Sequence, residues 1–391
     1  MTSRPEPRLA ARIAHIEPFH AMALLGRARQ LEAQGRDIVH MEIGEPDFPT
    51  ATPIVAAGIS SLIDGQTRYT PARGLAQLRS AISGYYRDRY NVAVDPERII
   101  VTPGSSGALQ LLMAVLVDPG DQVLMADPGY PCNRHFVRMV EGEPVMVPVD
   151  ADTGYQLTVD HLRAHWTDRA RAVMVASPAN PTGTLAEAAQ LTTMAEFVQQ
   201  RGGHLLVDEI YHGLIYEGEA QTALALSDQV FVINSFSKYF GMTGWRLGWL
   251  VAPPAYVPAL EKVAQNIFLA APTLSQHAAM AAFLPETLAV LEERRLAFKA
   301  RRDYLLPALR ELGFDIALTP QGAFYLYADV SQHTDDSYGF ALDVLDQAGV
   351  AMTPGIDFGF NAPQHHVRFA YTLSLERLRE GVTRLANYLR L

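Results

Sequence analysis

Residues 98–126 read RIIVTPGSSGALQLLMAVLVDPGDQVLMA and place one apolar helical pattern between two short apolar runs. The runs RIIVT and QVLMA have the length and composition of buried strands, and the turn DPGD separates the helical pattern from the second run. Strands that alternate with helices in this way form a parallel sheet, because each helix returns the chain to the same edge. The stretch therefore predicts an α/β fold.

The same alternation continues toward residue 252. Further predicted strands are PVMVPV, RAVMVAS, HLLVDE, VFVINS and GWLVA, with a helix over 186–201 between two of them. Apolar runs of this kind are typical of strands that are buried on both faces. We expect a mostly parallel sheet of roughly seven strands with helices on both faces.

The pattern changes near residue 285. A smaller α+β unit is predicted by a long charged helix over 292–312, the strand AFYLYAD, a helix over 338–348, the strand VRFAYTL and a closing helix to Leu391. No low-complexity linker separates the two parts. The sequence therefore predicts an N-terminal segment (1–48) that packs with the small domain, a large domain (49–284) that contains the parallel sheet, and a small C-terminal domain (285–391).

Composition excludes several classes of protein. The 391 residues are 49% apolar and carry a net charge of −10 without a basic cluster, which argues against a nucleic-acid or acidic membrane surface as partner. No apolar run approaches the ~20 residues of a membrane span, and prolines and charges interrupt the first 26 residues, so neither a signal peptide nor an anchor is expected. The single cysteine, Cys132, excludes an internal disulfide and is consistent with the cytoplasm. The twelve histidines lack metal-ligand spacing, so no metal is expected.

The loops after the predicted strands carry the candidate site, because the carboxyl ends of parallel strands meet at one edge of a sheet. Gly104, Ser105 and Ser106 open the helix after RIIVT. Small residues there leave backbone N–H groups free at the positive end of the helix, which suits a phosphate. The loop lacks both G-x-G-x-x-G and the P-loop lysine, so neither a dinucleotide nor a nucleoside triphosphate is indicated.

Three other strand ends add polar or aromatic groups. Tyr130 lies in DPGYP, Asn180 in PANPTG, and Asp208 and Tyr211 in DEIY. Taken singly, each has an ordinary structural alternative: a packing tyrosine, a turn, or an aspartate that caps a helix. Their convergence on one edge favours a site.

A fifth strand end supplies a lysine and an arginine, in VINSFSKYFGMTGWRLG (232–248). A lysine in a shielded crevice beside an arginine has a depressed pKa and forms Schiff bases with aldehydes. With Lys238 and Arg246 in that position, the carboxylate of Asp208 would keep a pyridine nitrogen protonated, and the serine pair and Arg246 would bind a phosphate. The combination predicts a pyridoxal 5′-phosphate site.

The sequence resembles the class I aminotransferases of pyridoxal-phosphate fold type I, in the subgroup with Ser-Lys-x-x-x-Met-Thr-Gly-Trp-Arg. The resemblance covers nearly the whole chain and rests on IGEPDF (43–48), YTPARG, SPANPTG, DEIYHGL, SFSKYFGMTGWRLG and VRFAY (367–371). It implies that Lys238 carries the cofactor and moves the proton between the substrate Cα and the cofactor. It also implies that Asp208 pairs with the pyridine nitrogen and that Tyr130 stacks on the ring. It further implies that Asn180 and Tyr211 hydrogen-bond the phenolate oxygen of the cofactor.

The resemblance also implies phosphate contacts, a homodimer and a substrate site. Ser105, Ser106, Ser235 and Arg246 match the phosphate contacts of the family. Tyr69 matches a tyrosine that reaches the phosphate from the neighbouring subunit, which implies a homodimer with shared sites. Arg368 matches the arginine that forks onto the substrate α-carboxylate, with Gly44 and Asn180 nearby.

One departure concerns the substrate. Some relatives that use aspartate have a lysine at the position of Ser106, so specificity for an acidic side chain is in doubt. Arg73 in YTPARG is an alternative cation, although a surface arginine is the plainer interpretation.

The function expected from these residues is ping-pong exchange of an amino group between an L-amino acid and a 2-oxo acid. A β-lyase or a cyclising synthase of the same fold is the alternative among enzymes, because the same carbanion serves each reaction. A regulator that uses such a domain as an effector sensor is the alternative outside catalysis, and it would need a DNA-binding extension that the sequence does not suggest.

Overall fold

The structure is a computed structural model that describes residues 7–218 and 221–390. Within these residues the chain forms twelve α-helices and twelve β-strands. The helices are α1 (His20–Ala33), α2 (Thr52–Ile63), α3 (Ala76–Tyr90), α4 (Gly104–Leu116), α5 (Pro131–Met139), α6 (Val159–His165), α7 (Ala188–Gln199), α8 (Val257–Ile267), α9 (Thr273–Met280), α10 (Pro285–Glu311), α11 (Ser337–Ala348) and α12 (Leu375–Leu389). The strands are β1 (Val39–His40), β2 (Ile99–Thr102), β3 (Gln122–Asp127), β4 (Glu143–Pro148), β5 (Ala170–Ala176), β6 (His204–Asp208), β7 (Phe231–Ser235), β8 (Gly248–Val251), β9 (Tyr325–Asp329), β10 (Val350–Ala351), β11 (Thr353–Pro354) and β12 (His366–Ala370).

The main sheet of the described chain has seven strands in the order β2-β8-β7-β6-β5-β3-β4. Pairing is parallel from β7 through β6, β5 and β3 to β4, whereas β8 runs antiparallel to both of its neighbours. This confirms the predicted α/β class and the mostly parallel sheet.

Both faces of this sheet are buried, which explains why its strands are continuous apolar runs. Along β3, Val123 and Met125 belong to one apolar core and Leu124 to the other. The first core includes apolar residues of α4 and α8, and the second extends under α2, α3, α7 and α9. Alternate side chains of a strand point to opposite faces, so the sheet separates the two cores.

The C-terminal part contains an antiparallel three-stranded sheet in the order β11-β12-β9. The long helix α10 begins at Pro285 rather than at residue 292, because proline favours the first turn of a helix. The strand predicted from VRFAYTL spans His366–Ala370, and α12 is the predicted closing helix, with Leu391 outside the described residues.

Three strands of two residues each escaped prediction because they are too short to show a pattern. One of them, β1, pairs in parallel with β10, so residues 39–40 lie against residues 350–351. This pairing joins the N-terminal segment to the C-terminal part of the chain. None of the described helices combines the length and apolarity that a membrane crossing needs.

Candidate active site

A cavity of about 190 Å³ lies at the carboxyl ends of the parallel strands. Asp208 is the last residue of β6, Lys238 follows β7, and Tyr130 lies between β3 and α5. The cavity brings together nine of the residues predicted from the sequence: Gly44, Ser105, Ser106, Tyr130, Asn180, Asp208, Tyr211, Lys238 and Arg368. Four other predicted residues do not line it: Tyr69, Gly104, Ser235 and Arg246.

Lys238 projects its amine toward the N-terminal segment. Its Nζ donates to the backbone oxygen of Gly44 at 2.7 Å. Burial lowers the pKa of Lys238 to about 8, and the positive charges of Arg368 and Arg246 act in the same direction. An amine with this pKa spends part of its time neutral near pH 7, which is the form that acts as a nucleophile or base.

Gly44 is required by the crowding around this amine. A Cβ at this position would lie 1.8 Å from the hydroxyl oxygen of Tyr325. That hydroxyl in turn hydrogen-bonds the hydroxyl of Tyr211 at 2.8 Å. A glycine therefore lets the chain pass close to Tyr325.

Asp208 is a buried carboxylate, 6% exposed. Its Oδ1 accepts from the backbone N–H of Ile210 at 3.0 Å, and among the described residues it forms no salt bridge. Burial raises its pKa to about 6, with the backbone hydrogen bond and the charge of Lys238 opposing the rise. A carboxylate in this environment gains from a cationic group such as a protonated pyridine nitrogen.

Arg368 is 3% exposed and lies on β12 at the edge of the cavity. Its Nη1 donates to Oδ1 of Asn180 at 2.9 Å, and its Nη2 donates to the backbone oxygen of Glu42 at 2.6 Å and to Oγ1 of Thr353 at 3.2 Å. Its Nε is buried and has no hydrogen-bond partner in the part of the chain that the structure describes. Every described partner of this guanidinium is neutral, so its charge suits an incoming carboxylate.

The start of α4 and Arg246 form a cradle with the character of an anion site. Gly104 is the first residue of α4, with φ +69°, and a Cβ there would lie 2.6 Å from Nη2 of Arg246. Arg246 makes no salt bridge with any described residue, and its Nη1 donates to the backbone oxygen of Thr243. A free guanidinium beside free N–H groups at a helix start fits a phosphate.

Two other predicted residues lie elsewhere. The hydroxyl of Ser235 is engaged within the protein, where its oxygen lies 3.0 Å from Oγ of Ser237 and 3.1 Å from the backbone oxygen of Leu247, both within hydrogen-bond distance. Tyr69 is 84% exposed and does not reach the cavity of its own chain. Arg73 pairs with Glu97 and Glu261 and does not line the cavity either.

Sequence reasoning missed several residues that line the cavity. Tyr325 lies within the predicted strand AFYLYAD, and its ring centroid is 4.3 Å from the guanidinium carbon of Arg368. Phe19 and Met22 also line the cavity, although they are apolar residues of the N-terminal segment outside any motif, and Ile43 lines it as the first residue of IGEPDF. The run AFYLYAD gave a signal, because it placed Tyr325 on a predicted strand. Among the described residues, no group of three or more His, Cys, Asp or Glu side chains forms a metal site.

Comparison with known proteins places this geometry in a family. A profile of the aminotransferase class I and II family matches residues 36–385. The chain is 38% identical to the valine–pyruvate aminotransferase of Mycobacterium tuberculosis over 384 residues, which is 98% of each protein. It is 36% identical to the (5-formylfuran-3-yl)methyl phosphate transaminase of Methanocaldococcus jannaschii, over 97% of this chain and 99% of the relative.

Solved structures agree. The crystal structure of an aminotransferase from Mycobacterium tuberculosis has a TM-score of 0.95 at 38% identity, covering 98% of this chain and 99% of the other. The aspartate aminotransferase from Thermus thermophilus with maleate has a TM-score of 0.92 at 34% identity, covering 97% and 99%.

The chain belongs to the class I and II aminotransferases. It is a transaminase, an enzyme that exchanges an amino group between an amino acid and a 2-oxo acid by the ping-pong route general to the family. Members of this family depend on pyridoxal phosphate, and the donors around the cavity fit that cofactor: an amine, a buried carboxylate, an amide and an anion cradle.

Proposed function

We propose that this chain carries out amino-group transfer on pyridoxal 5′-phosphate bound in the cavity described above. The observation that carries the proposal is the juxtaposition of Lys238, Asp208 and Arg368 around one cavity. When bound, pyridoxal phosphate supplies an aldehyde that takes up the amino group and a ring that withdraws electrons from the substrate.

Each residue then has a defined task. Lys238 holds the cofactor covalently and, once displaced by substrate, moves the proton at the substrate Cα. Asp208 keeps the pyridine nitrogen protonated by its negative charge, and Tyr130 stacks on the ring. Asn180 and Tyr211 hydrogen-bond the phenolate oxygen. The pKa values support these roles. Burial lowers the pKa of Lys238, which makes its neutral form accessible, and raises the pKa of Asp208, whose ionised form a positive partner would stabilise.

The phosphate is held by the start of α4 and by Arg246. Gly104, Ser105 and Ser106 offer N–H groups and hydroxyls, and Arg246 offers the charge. Ser235 belongs to the same set, although its hydroxyl would first have to leave Leu247 and Ser237.

Tyr69 completes the phosphate site from the neighbouring copy, so the active form is a homodimer with shared sites. The exposure of Tyr69 supports this arrangement. Three apolar side chains of α2, the helix that precedes Tyr69 in the chain, are 56%, 56% and 79% exposed (Ile59, Leu62 and Ile63), and a second copy would cover them.

The substrate α-carboxylate binds Arg368 as a fork and replaces its neutral partners, with Gly44 and Asn180 beside it. An L-amino acid and a 2-oxo acid alternate at this position. The substrate pair is thus anchored on the arginine while Lys238 works on the adjacent carbon.

The remaining assignments concern organisation. The chain divides into an N-terminal segment (1–48), a large cofactor domain (49–284) and a small domain (285–391), and the pairing of β1 with β10 supports the packing of the first on the third. The motif at residues 237–246 supports placing the chain in the subgroup with Ser-Lys-x-x-x-Met-Thr-Gly-Trp-Arg. The single cysteine supports a cytoplasmic enzyme.

A panel of L-amino acids mixed with the cofactor-loaded protein tests the proposal. We expect loss of the absorbance of the bound cofactor with an amino acid and its return on addition of a 2-oxo acid. Release of pyruvate and ammonia from a single substrate would instead identify a lyase and overturn the assignment.

A further inference from the structure

One side of the cavity takes no part in the roles assigned above. It is formed by Phe19, Ala21, Met22 and Ile43, which we name the apolar wall. Phe19 precedes the first residue of α1, Ala21 and Met22 lie in its first turn, and Ile43 precedes Gly44. Because Lys238 contacts the backbone of Gly44, the wall stands close to the reacting amine.

The start of α1 is fixed in place. Both carboxylate oxygens of Asp357, which is 1% exposed, accept backbone N–H groups at 2.8 Å, Oδ1 from His20 and Oδ2 from Ala21. Arg134 donates to the backbone oxygen of Asp357 at 3.1 Å and to Oε2 of Glu17 at 2.8 Å. A buried carboxylate on the first N–H groups of a helix is a strong cap, so the wall is positioned before any substrate arrives.

The charges around the cavity disfavour a second carboxylate on the substrate. The cations among the described residues that line it are Lys238 and Arg368, and both have tasks at the cofactor or the α-carboxylate. Two further lining residues, Asp208 and Glu42, are acidic and oppose another anion. A carboxylate against the apolar wall would lose its hydration without gaining a counter-charge from this chain, which is costly.

The two positions considered for such a counter-charge, 106 and 73, do not supply it. Ser106 lines the cavity at the start of α4, but its side chain carries no charge. Arg73 is held by Glu97 and Glu261, with its Nη1 2.8 Å from Oε2 of Glu97.

We propose that the preferred amino acid and 2-oxo acid carry an uncharged apolar side chain, aliphatic or aromatic, that packs on Phe19, Met22 and Ile43. This inference rests on the proposed function and names its substrate class. Met22 is 54% exposed, so a substrate side chain that covers it removes apolar surface from water.

The first test compares donors in the half-reaction of the cofactor-loaded enzyme. L-Leucine, L-methionine and L-phenylalanine should exceed L-aspartate and L-glutamate in kcat/KM by roughly 100-fold, since each buried methylene contributes about a fourfold factor and the acids also lose hydration. Equal rates, or a preference for the acids, would overturn the inference while leaving transamination intact. Failure of every donor would refute the proposed function itself.

The second test introduces a positive charge into the apolar wall by substitution. Met22→Arg should raise the ratio of aspartate to leucine kcat/KM by roughly 10–100-fold, the range of a charge-assisted hydrogen bond. Leu296→Arg is the matched control, because Leu296 on α10 is also 54% exposed and lies outside the cavity. An unchanged ratio in Met22→Arg would refute the position of the substrate side chain.

Binding gives a readout that is independent of turnover. The unreactive acids 4-methylpentanoate and succinate share one carboxylate and differ in an apolar or an acidic tail. Calorimetry on the cofactor-loaded wild type should give a lower Kd for 4-methylpentanoate, and Met22→Arg should reverse or abolish the difference. Tighter binding of succinate to the wild type would contradict the inference.

Discussion

Arg368 and Asn180 join the two parts of the chain across the cavity, with Nη1 of the arginine donating to Oδ1 of the amide at 2.9 Å. The arginine lies on β12 of the C-terminal sheet, and the asparagine lies in the loop after β5 of the main sheet. An amide orients the guanidinium without neutralising it. Arg368 has no anionic partner among the described residues, so a substrate carboxylate would be the first. Both parts of the molecule would then contribute to holding the substrate.

Replacing Arg368 by lysine should weaken catalysis for every amino acid by a similar factor. Lysine keeps the charge but loses the second parallel hydrogen bond of the fork. A charge-assisted hydrogen bond contributes on the order of 1.5–3 kcal/mol, so we expect a loss of roughly 10–100-fold in kcat/KM. The measurement compares kcat/KM for several amino acids with kcat/KM for an amine that lacks a carboxylate. The value for the amine should not change on substitution. A loss confined to one amino acid would mean that Arg368 contacts the substrate side chain and not the α-carboxylate.

Asp208→Asn should give a folded protein that binds the cofactor and turns over poorly. The amide oxygen can still accept from the backbone N–H of Ile210, so the loop after β6 should keep its shape. A neutral amide cannot stabilise a protonated pyridine nitrogen, and removal of one positioned charge of this kind costs on the order of 10²–10³ in kcat. Circular dichroism checks the fold and single-turnover kinetics check the rate. Equal rates in variant and wild type would mean that Asp208 has only a structural role.

The fold and part of the site could be predicted because both depend on local sequence. The strands of the main sheet are buried on both faces, and runs such as IIVT (99–102) and HLLVD (204–208) are apolar enough to identify one by one. Asp208 and Lys238 follow such strands directly, and topology then brings them to one edge.

Long-range packing could not be predicted in the same way. The contact of Lys238 with Gly44 joins residues that are 194 positions apart, and the apolar wall around Met22 depends on a cap from Asp357, 336 positions away from Ala21. Neither pairing leaves a periodic pattern. The apolar wall therefore became visible only in the structure.

The cofactor site should depend on the dimer. If Tyr69 reaches the phosphate of the neighbouring copy, dilution that separates the subunits must also release cofactor, because the two equilibria are linked. Size-exclusion chromatography over a dilution series, with the absorbance of the bound cofactor recorded for each peak, measures both at once. A monomer with full cofactor occupancy would contradict the shared site.

Stability should respond to pH through His40. A hydrogen bond to Glu42, at 2.8 Å, is the main cause that raises the pKa of His40 from 6.5 to about 9, and Glu32 adds to it. A raised pKa means that the protonated ring stabilises the folded chain fully below pH 6.5, and that this contribution is lost as the pH rises through 9. Allowing for the partial exposure of the ring, we expect on the order of 1 kcal/mol.

Chemical unfolding of the cofactor-loaded protein at one protein concentration measures this contribution. The stability difference between wild type and His40→Gln should shrink between pH 6.5 and pH 9. The double variant His40→Gln, Glu42→Gln is the control, because it also removes the carboxylate that His40→Gln leaves buried. A difference that is constant across this range would show that the pair does not titrate as described.

Lys238→Ala tests the residue on which the chemistry depends. The variant should still bind pyridoxal phosphate without a covalent bond, since the start of α4 and Arg246 remain, and a spectral titration measures this affinity. Turnover should fall by several orders of magnitude, because the lysine is both the attachment point and the proton carrier, and positioned proton transfer alone contributes ~10²–10⁴-fold. Lys262→Ala is the matched control, because Lys262 is an exposed lysine on α8 that does not line the cavity. Near-normal turnover in Lys238→Ala would remove the lysine from the mechanism, and loss of cofactor binding would instead assign it to the integrity of the cavity.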